Sequence, residues 1–118
     1  EVRKMNTPKN IDQWAKFLKF FSEQNAGRPT RLGVFERHGN NVMDYWLESG
    51  LPLVGVDIDS HQDRATIQIS LGALNHEISD ATELKFVFSR AGDEDGLDVT
   101  DAEGRTAVLR FQVAGAVR

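Results

Sequence analysis

The 118-residue sequence lacks cysteine altogether, which excludes both disulfide bonds and thiolate metal sites. It also lacks long apolar runs. None approaches the roughly 20 residues that a membrane-spanning helix requires, and none has the form of a signal peptide. These absences predict a soluble protein without a membrane partner, and the missing cysteine agrees with a cytoplasmic location.

Basic residues are fewer than acidic ones: the sequence has 14 Lys and Arg residues and 18 Asp and Glu residues. The net charge of −4 argues against binding to nucleic acid, whose phosphates select basic surfaces. The charge is also uneven, with eight basic and four acidic residues over positions 1–37 and six and fourteen over positions 38–118. This asymmetry either steers a partner, favours self-association, or reflects ordinary solvated surface.

One segment near the start has helical periodicity. Its apolar residues form a single stripe: Ile11, Trp14, Phe17, Leu18 and Phe21. Asn10 and Gln13 resemble a capping box at the start, and Gly27 with Pro29 prevents continuation at the end. We therefore expect an amphipathic helix from residue 10 to about residue 25.

The following ninety or so residues alternate between apolar and polar side chains in short runs separated by turn residues. Turns this short join antiparallel strands. The sequence predicts an α+β fold, in which the helix packs on a curled, mostly antiparallel sheet of about six to seven strands. We expect a meander, roll or partly open barrel. The predicted division is a disordered or tag-like segment over 1–9, one domain over 10–112 and a C-terminal tail over 113–118.

Several local patterns are shared with a known family. They are Trp14, Phe17, Leu18 and Phe21 on the helix, then Leu51-Pro52-Leu53, Gly55-Val56, Leu74-Asn75-His76, Asp101-Ala102-Glu103-Gly104 and Leu109-Arg110-Phe111. On these residues the chain resembles a family of short bacterial proteins classed only as a domain of unknown function. The resemblance covers most of residues 11–111 and implies a stand-alone bacterial protein, without implying any activity or site residue.

Two clusters of carboxylates are candidate sites. Asp57, Asp59, His61 and Asp63 occupy alternate positions around a predicted turn and offer donors for calcium or a transition metal. They depart from the calcium-loop pattern, because Gln62 stands where the sharp turn requires glycine. Residues 93–103 hold six acidic residues and no basic one, which indicates a solubilising loop or a site for a cation or basic partner. In both cases the alternative is a solvated turn, and no cofactor is predicted.

The sequence contains neither a nucleophile elbow nor a phosphate-binding loop, so it favours a binding protein over an enzyme. The leading hypothesis is a protein-interaction module, a homodimer or the partner of an unknown protein, that uses an exposed sheet edge or apolar patch. The second is a binder of a small apolar ligand in a pocket between helix and sheet. The third is a metal-dependent hydrolase built on Asp57, Asp59 and His61. The predicted pocket lining is Phe17, Phe21, Trp46, Phe86 and Phe88.

Overall fold

The computed structural model describes residues 3–7, 9–38 and 41–112. In chain order its elements are β1 (Arg3–Thr7), α1 (Ile11–Asn25), β2 (Pro29–His38), β3 (Asn41–His61), β4 (Arg64–Leu71), β5 (Leu74–Ile78), β6 (Ala81–Phe88), β7 (Glu94–Asp101) and β8 (Thr106–Phe111). The helix packs on a curled sheet, which confirms the predicted α+β fold. No helix in the described part of the chain is long and apolar enough to cross a membrane.

The strands form one sheet in the order β1-β6-β7-β8-β2-β3-β4-β5. Every neighbouring pair is antiparallel, as short turns require. The sheet curls into a half-barrel that brings β4 towards β6. Inward side chains from β2 to β8 meet the helix in one hydrophobic core, so the helix lies against the concave face.

The helix begins as the sequence predicts, with Asn10 as its N-cap and the Gln13 N–H donating to the Asn10 side chain at 3.1 Å. Its buried stripe is Trp14, Leu18 and Phe21, each at most 1% exposed. The Trp14 indole N–H has no hydrogen-bond partner among the described residues, a loss worth about 1–3 kcal/mol. Full burial of the indole ring offsets that loss, since large apolar side chains contribute a similar or greater amount.

The second half of β3 has the helix, rather than a strand, along one of its edges. Ser22 Oγ accepts the Val56 N–H at 2.8 Å and donates to the Leu18 carbonyl at 2.7 Å. Just after the helix, the Gly27 N–H donates to the Leu53 carbonyl at 2.8 Å. Backbone groups at this edge that would otherwise be buried without partners are thereby satisfied.

The strand β3 is long, 21 residues, and changes partner along its length. Its first half pairs with β2 and its second half with β4. The sequence predicts a break or bulge at Ser49 and Gly50, and the structure has bulges: the register with β2 shifts at Thr30/Arg31 and again at Leu32/Gly33. Gly50 supplies the positive φ of +94° that the first bulge uses.

The structure adds one strand that the sequence did not predict. In the segment predicted to be disordered or tag-like, Arg3–Thr7 forms β1 and pairs with β6. The described ranges thus contain eight strands, against the six to seven predicted. The predicted tail over 113–118 lies outside the described residues.

Candidate functional site

The first half of β3 has one edge without a neighbour. We call residues 41–50 the free edge: they pair with β2 on one side, and no described strand pairs with the other side. Residues 42 and 44–50 are all exposed. Four of them are large and apolar, namely Val42 (56% exposed), Tyr45 (42%), Trp46 (45%) and Leu47 (39%). Unpaired backbone and apolar side chains thus coincide on one strand segment.

The two aromatic residues of the free edge lie on opposite faces of the sheet. Tyr45 is opposite the inward-facing Val34, and Trp46 is opposite Gly33. The Trp46 ring occupies the space of a missing side chain, because a Cβ on Gly33 would lie 2.7 Å from its Cε3 atom. The Arg31 guanidinium stacks on the same ring, 3.9 Å from its centroid. Trp46 is therefore held flat against the outer surface, away from any pocket between helix and sheet.

A second feature is a groove of about 550 Å³ between the helix and the end of β6. We call it the aromatic groove; its lining residues are Phe17, Phe20, Phe86, Phe88, Gly92, Asp93 and Glu94. Phe17 and Phe86 meet edge to face with ring centroids 6.0 Å apart. Phe20 is 58% exposed and Phe17 is 38% exposed, so the helix side of the groove is open.

The acidic side of the aromatic groove is a short, hydrogen-bonded loop. The Ser89 N–H donates to the Asp93 carbonyl at 2.8 Å, and the Gly92 N–H donates to the Ser89 carbonyl at 2.9 Å. The Asp93 N–H reaches Ser89 Oγ at 3.3 Å. Glu94 stands opposite Phe88 in the β6–β7 pair and accepts a hydrogen bond from the Asn25 amide at 2.9 Å. The Asp93 backbone and the Glu94 carboxylate are thereby held at the groove that the phenyl rings line.

The predicted pocket lining is only partly brought together. Phe17, Phe86 and Phe88 line the groove, but Phe21 is fully buried between Phe86 and Phe111. Trp46 lies on the outer face of the sheet, as described above. The prediction did not include Phe20. Its position beside the main stripe of the helix was the available signal, because a bulky residue there stays exposed at the edge of the covered face.

The predicted metal ligands do not converge. Asp57, Asp59 and His61 are exposed and alternate along β3, so the outer two are about 13 Å apart along the strand. Asp63 lies in the tight turn to β4 with φ of +65°. Within the described ranges, no group of three His, Cys, Asp or Glu side chains is placed to hold a metal ion. The arrangement matches the solvated-turn alternative.

Asp101 is a buried carboxylate whose oxygens are engaged in the β7–β8 turn. Its Oδ1 accepts the N–H groups of Glu103 and Arg105 at 2.9 and 3.0 Å, and its Oδ2 accepts Arg105 Nε at 3.0 Å. The hydrogen bond and charge of Asp101, followed by the charge of Glu103, raise the pKa of Arg105. This carboxylate holds the turn together, so we do not assign it a catalytic role.

His76 lines a smaller cavity of about 380 Å³, together with Glu36, Tyr45 and Arg105. Burial lowers the pKa of His76 because the charged imidazolium is less well solvated there. The side chain is thus kept neutral over a wider range of pH than a free histidine. The cavity contains charged groups of both signs, and it lacks the cluster of phenylalanine rings that lines the groove.

The comparisons with known proteins place the chain in a family but do not extend to an activity. Neither a curated protein nor a solved structure matches it. One family model covers residues 6–117, which include every element described above except the start of β1. The resemblance expected from the sequence is confirmed to this extent: the chain belongs to DUF5335, a family of unknown function.

Proposed function

We propose that the protein is an interaction module that pairs with a second copy of itself through the free edge of β3. The observation that carries this proposal is the coincidence of an unpaired strand edge with four exposed apolar side chains on residues 41–50. Addition of a strand there would satisfy backbone groups and cover apolar surface in the same step.

The free edge has little protection against such pairing. Natural edge strands are commonly protected from pairing with another chain by lysine, proline or inward-pointing charges. Residues 41–50 contain neither lysine nor proline. Their charges are the carboxylates of Asp44 and Glu48. By contrast, the helix and Ser22 cover one edge of the second half of β3, while β4 pairs with the other.

Most of residues 41–50 pair only in antiparallel registers centred on Tyr45 or Trp46, and the positions of these two carboxylates favour one of the two. Pairing centred on Trp46 would place Asp44 opposite Glu48 of the second copy, and like charges directly opposite are destabilising. Pairing centred on Tyr45 places Asp44 opposite Trp46 and Glu48 opposite Val42, which avoids that repulsion. We therefore expect Tyr45 to face its own copy across a two-fold axis.

A single added strand pair buries less area than a typical stable interface, so the dimer should be weak, with a dissociation constant in roughly the micromolar range. Sedimentation velocity over a wide range of protein concentration measures it. Tyr45→Lys should abolish dimerisation, because it places two ammonium groups at the centre of the pairing. Val54→Lys is the matched control: Val54 is 60% exposed on the same strand but lies beyond the free edge. A protein that stays monomeric at millimolar concentration would overturn the proposal.

The absence of cysteine allows a second test of the register. Tyr45→Cys should cross-link to its own copy under mild oxidation, because directly opposite residues have the separation that a disulfide requires. Val54→Cys should cross-link far more slowly. Equal rates for the two variants would contradict the Tyr45-centred register.

A second candidate function is the binding of a small ligand, and it is supported by the aromatic groove. The volume of about 550 Å³ lies within the range of small-molecule sites. Three of the five residues predicted to line such a pocket, Phe17, Phe86 and Phe88, meet there. Titration with neutral octyl glucoside below its micelle concentration tests this function, with the amide signals of Gly92 and Phe20 as the readout. If those signals do not move, the groove is not an apolar-ligand site.

A further inference from the structure

We infer that the aromatic groove selects an organic cation: an alkylammonium compound whose apolar body lies on the phenylalanine rings and whose ammonium group meets Asp93 and Glu94. This inference rests on the second candidate function and is independent of self-association at the free edge. It adds a class of ligand to the groove, and each part of that assignment has its own structural support.

The aromatic wall supports binding of a cation as well as an apolar chain. Phe17, Phe20, Phe86 and Phe88 all contribute to the groove, and the first two are exposed to solvent on the helix. The face of a phenyl ring is negative, so it attracts an ammonium group within about 6 Å. Methylated ammonium groups are favoured in such surroundings because they are poorly hydrated and present apolar surface to the rings.

The acidic side supplies charge at a defined place. Three hydrogen bonds fold the loop between Ser89 and Asp93, which brings the Asp93 backbone to the groove. The neutral Asn25 amide donates to the Glu94 carboxylate at 2.9 Å and orients that side chain. Arg28 donates to the Asn25 side-chain oxygen and to the Glu94 carbonyl oxygen, and its guanidinium stacks on Phe111.

The groove is also open where the ligand would enter. Gly92 has φ of +89°, and no atom lies within 4 Å of the position that its Cβ would take. The groove is therefore open between the phenyl rings and the Asp93 backbone. An anionic amphiphile of the same length would meet the same rings but would be repelled by the two carboxylates.

Octyltrimethylammonium, octyl glucoside and octanoate form a matched set of cationic, neutral and anionic probes. Each is titrated below its micelle concentration into the ¹⁵N-labelled protein, with the Gly92 and Phe20 amides as the readout. We expect the cation to bind roughly three- to tenfold more tightly than the neutral probe, and octanoate to bind most weakly. If all three probes bind at the groove with equal affinity, the ligand-binding function stands and the selection of cations is overturned. If none binds there, both are overturned.

Variants separate the aromatic contribution from the acidic one. Asp93→Asn should reduce the preference for the cation and leave the affinity for octyl glucoside unchanged. Phe20→Ala should weaken the binding of all three probes. Phe20 is exposed enough to be replaced without loss of the fold. Asp57→Asn, at an exposed carboxylate on β3, is the matched control and should change nothing. A preference for the cation that survives both Asp93→Asn and Glu94→Gln would contradict the inference.

Discussion

The two halves of β3 have the same kind of sequence but different surroundings. In the second half, Leu53 and Val56 are only 2% exposed, with β4 on one side and the helix on the other. In the first half, Tyr45 and Trp46 are more than 40% exposed, although they are larger. What differs is the number of neighbours: the first half has β2 alone. The inward-facing Leu53 and Val56 therefore stabilise the fold, whereas the apolar residues of the first half are available for association.

The largest expected effect separates the core from the free edge. Phe21 is fully buried against Phe86 and Phe111, so Phe21→Ala should lower the free energy of unfolding by about 3–5 kcal/mol. Val42→Ala, at an exposed position of the free edge, should change it by no more than about 0.5 kcal/mol. Urea unfolding at low protein concentration measures both. Similar losses for the two variants would show that the free edge is packed in the isolated chain.

The next effect concerns the way in which the helix covers β3. Ser22→Ala removes the hydroxyl that accepts the Val56 N–H, and should lower the free energy of unfolding by about 1–3 kcal/mol because that donor is left without a partner. Ser60→Ala is the control, since Ser60 is an exposed serine on the same half of β3. Chemical denaturation gives the difference. If the two serine variants are equally stable, water rather than Ser22 satisfies this edge.

An effect of similar size is expected where the Trp46 ring covers Gly33. In Gly33→Ala the new methyl group would lie within 3 Å of the ring, so the ring must move, at a cost of about 1–3 kcal/mol. The displaced indole should become more exposed, which a red shift of its fluorescence would report in a Trp14→Phe background. Adding Trp46→Leu should remove most of the penalty. A penalty that persists without the indole would point to the backbone instead.

The smallest expected effect is a pH dependence from His76. Its pKa is lowered by burial, so between that lowered value and about 6.5 the unfolded chain binds more protons than the folded one. The free energy of unfolding should therefore fall as the pH drops through this window. Above the window the contribution of His76 to that free energy has its full value. His76→Asn should weaken this dependence. Urea unfolding of both proteins at pH 5 and pH 7.5 checks it, and parallel profiles would exclude His76 as a source.

The parts of the fold that depend on local chemistry follow from the sequence. The Asn10 cap and the apolar stripe located the helix to within a residue. The strand β1 could not be predicted in this way, because residues 3–7 form a strand only by pairing with β6, some 80 positions later. The continuity of β3 through Gly50 likewise depends on β2, whose pairing tolerates the bulges.

The candidate site likewise divides into features that the sequence predicts and features that depend on tertiary contacts. The sequence identified Phe17, Phe86 and Phe88, because aromatic residues on the inward faces of helix and strand are expected to meet. It left Phe20 out of the lining, although the apolar stripe includes Phe21 and not Phe20 and so already indicated which of the two stays exposed. It also placed Trp46 in the pocket. That error arose because the effect of Gly33, which creates the surface on which Trp46 lies, depends on the strand register.

The turn between β4 and β5 limits the length of strand that can pair at the free edge. β4 ends at Leu71, opposite Leu53, and the Gly72 N–H donates to the Pro52 carbonyl at 2.9 Å. This turn ends the free edge, so an incoming strand can pair along about ten residues, or roughly 33 Å. In a dimer with a two-fold axis, the two copies place this turn at opposite ends of the paired strands. Because a two-fold pair uses the free edge of both copies, the proposed self-association would close at two copies rather than propagate into a fibre.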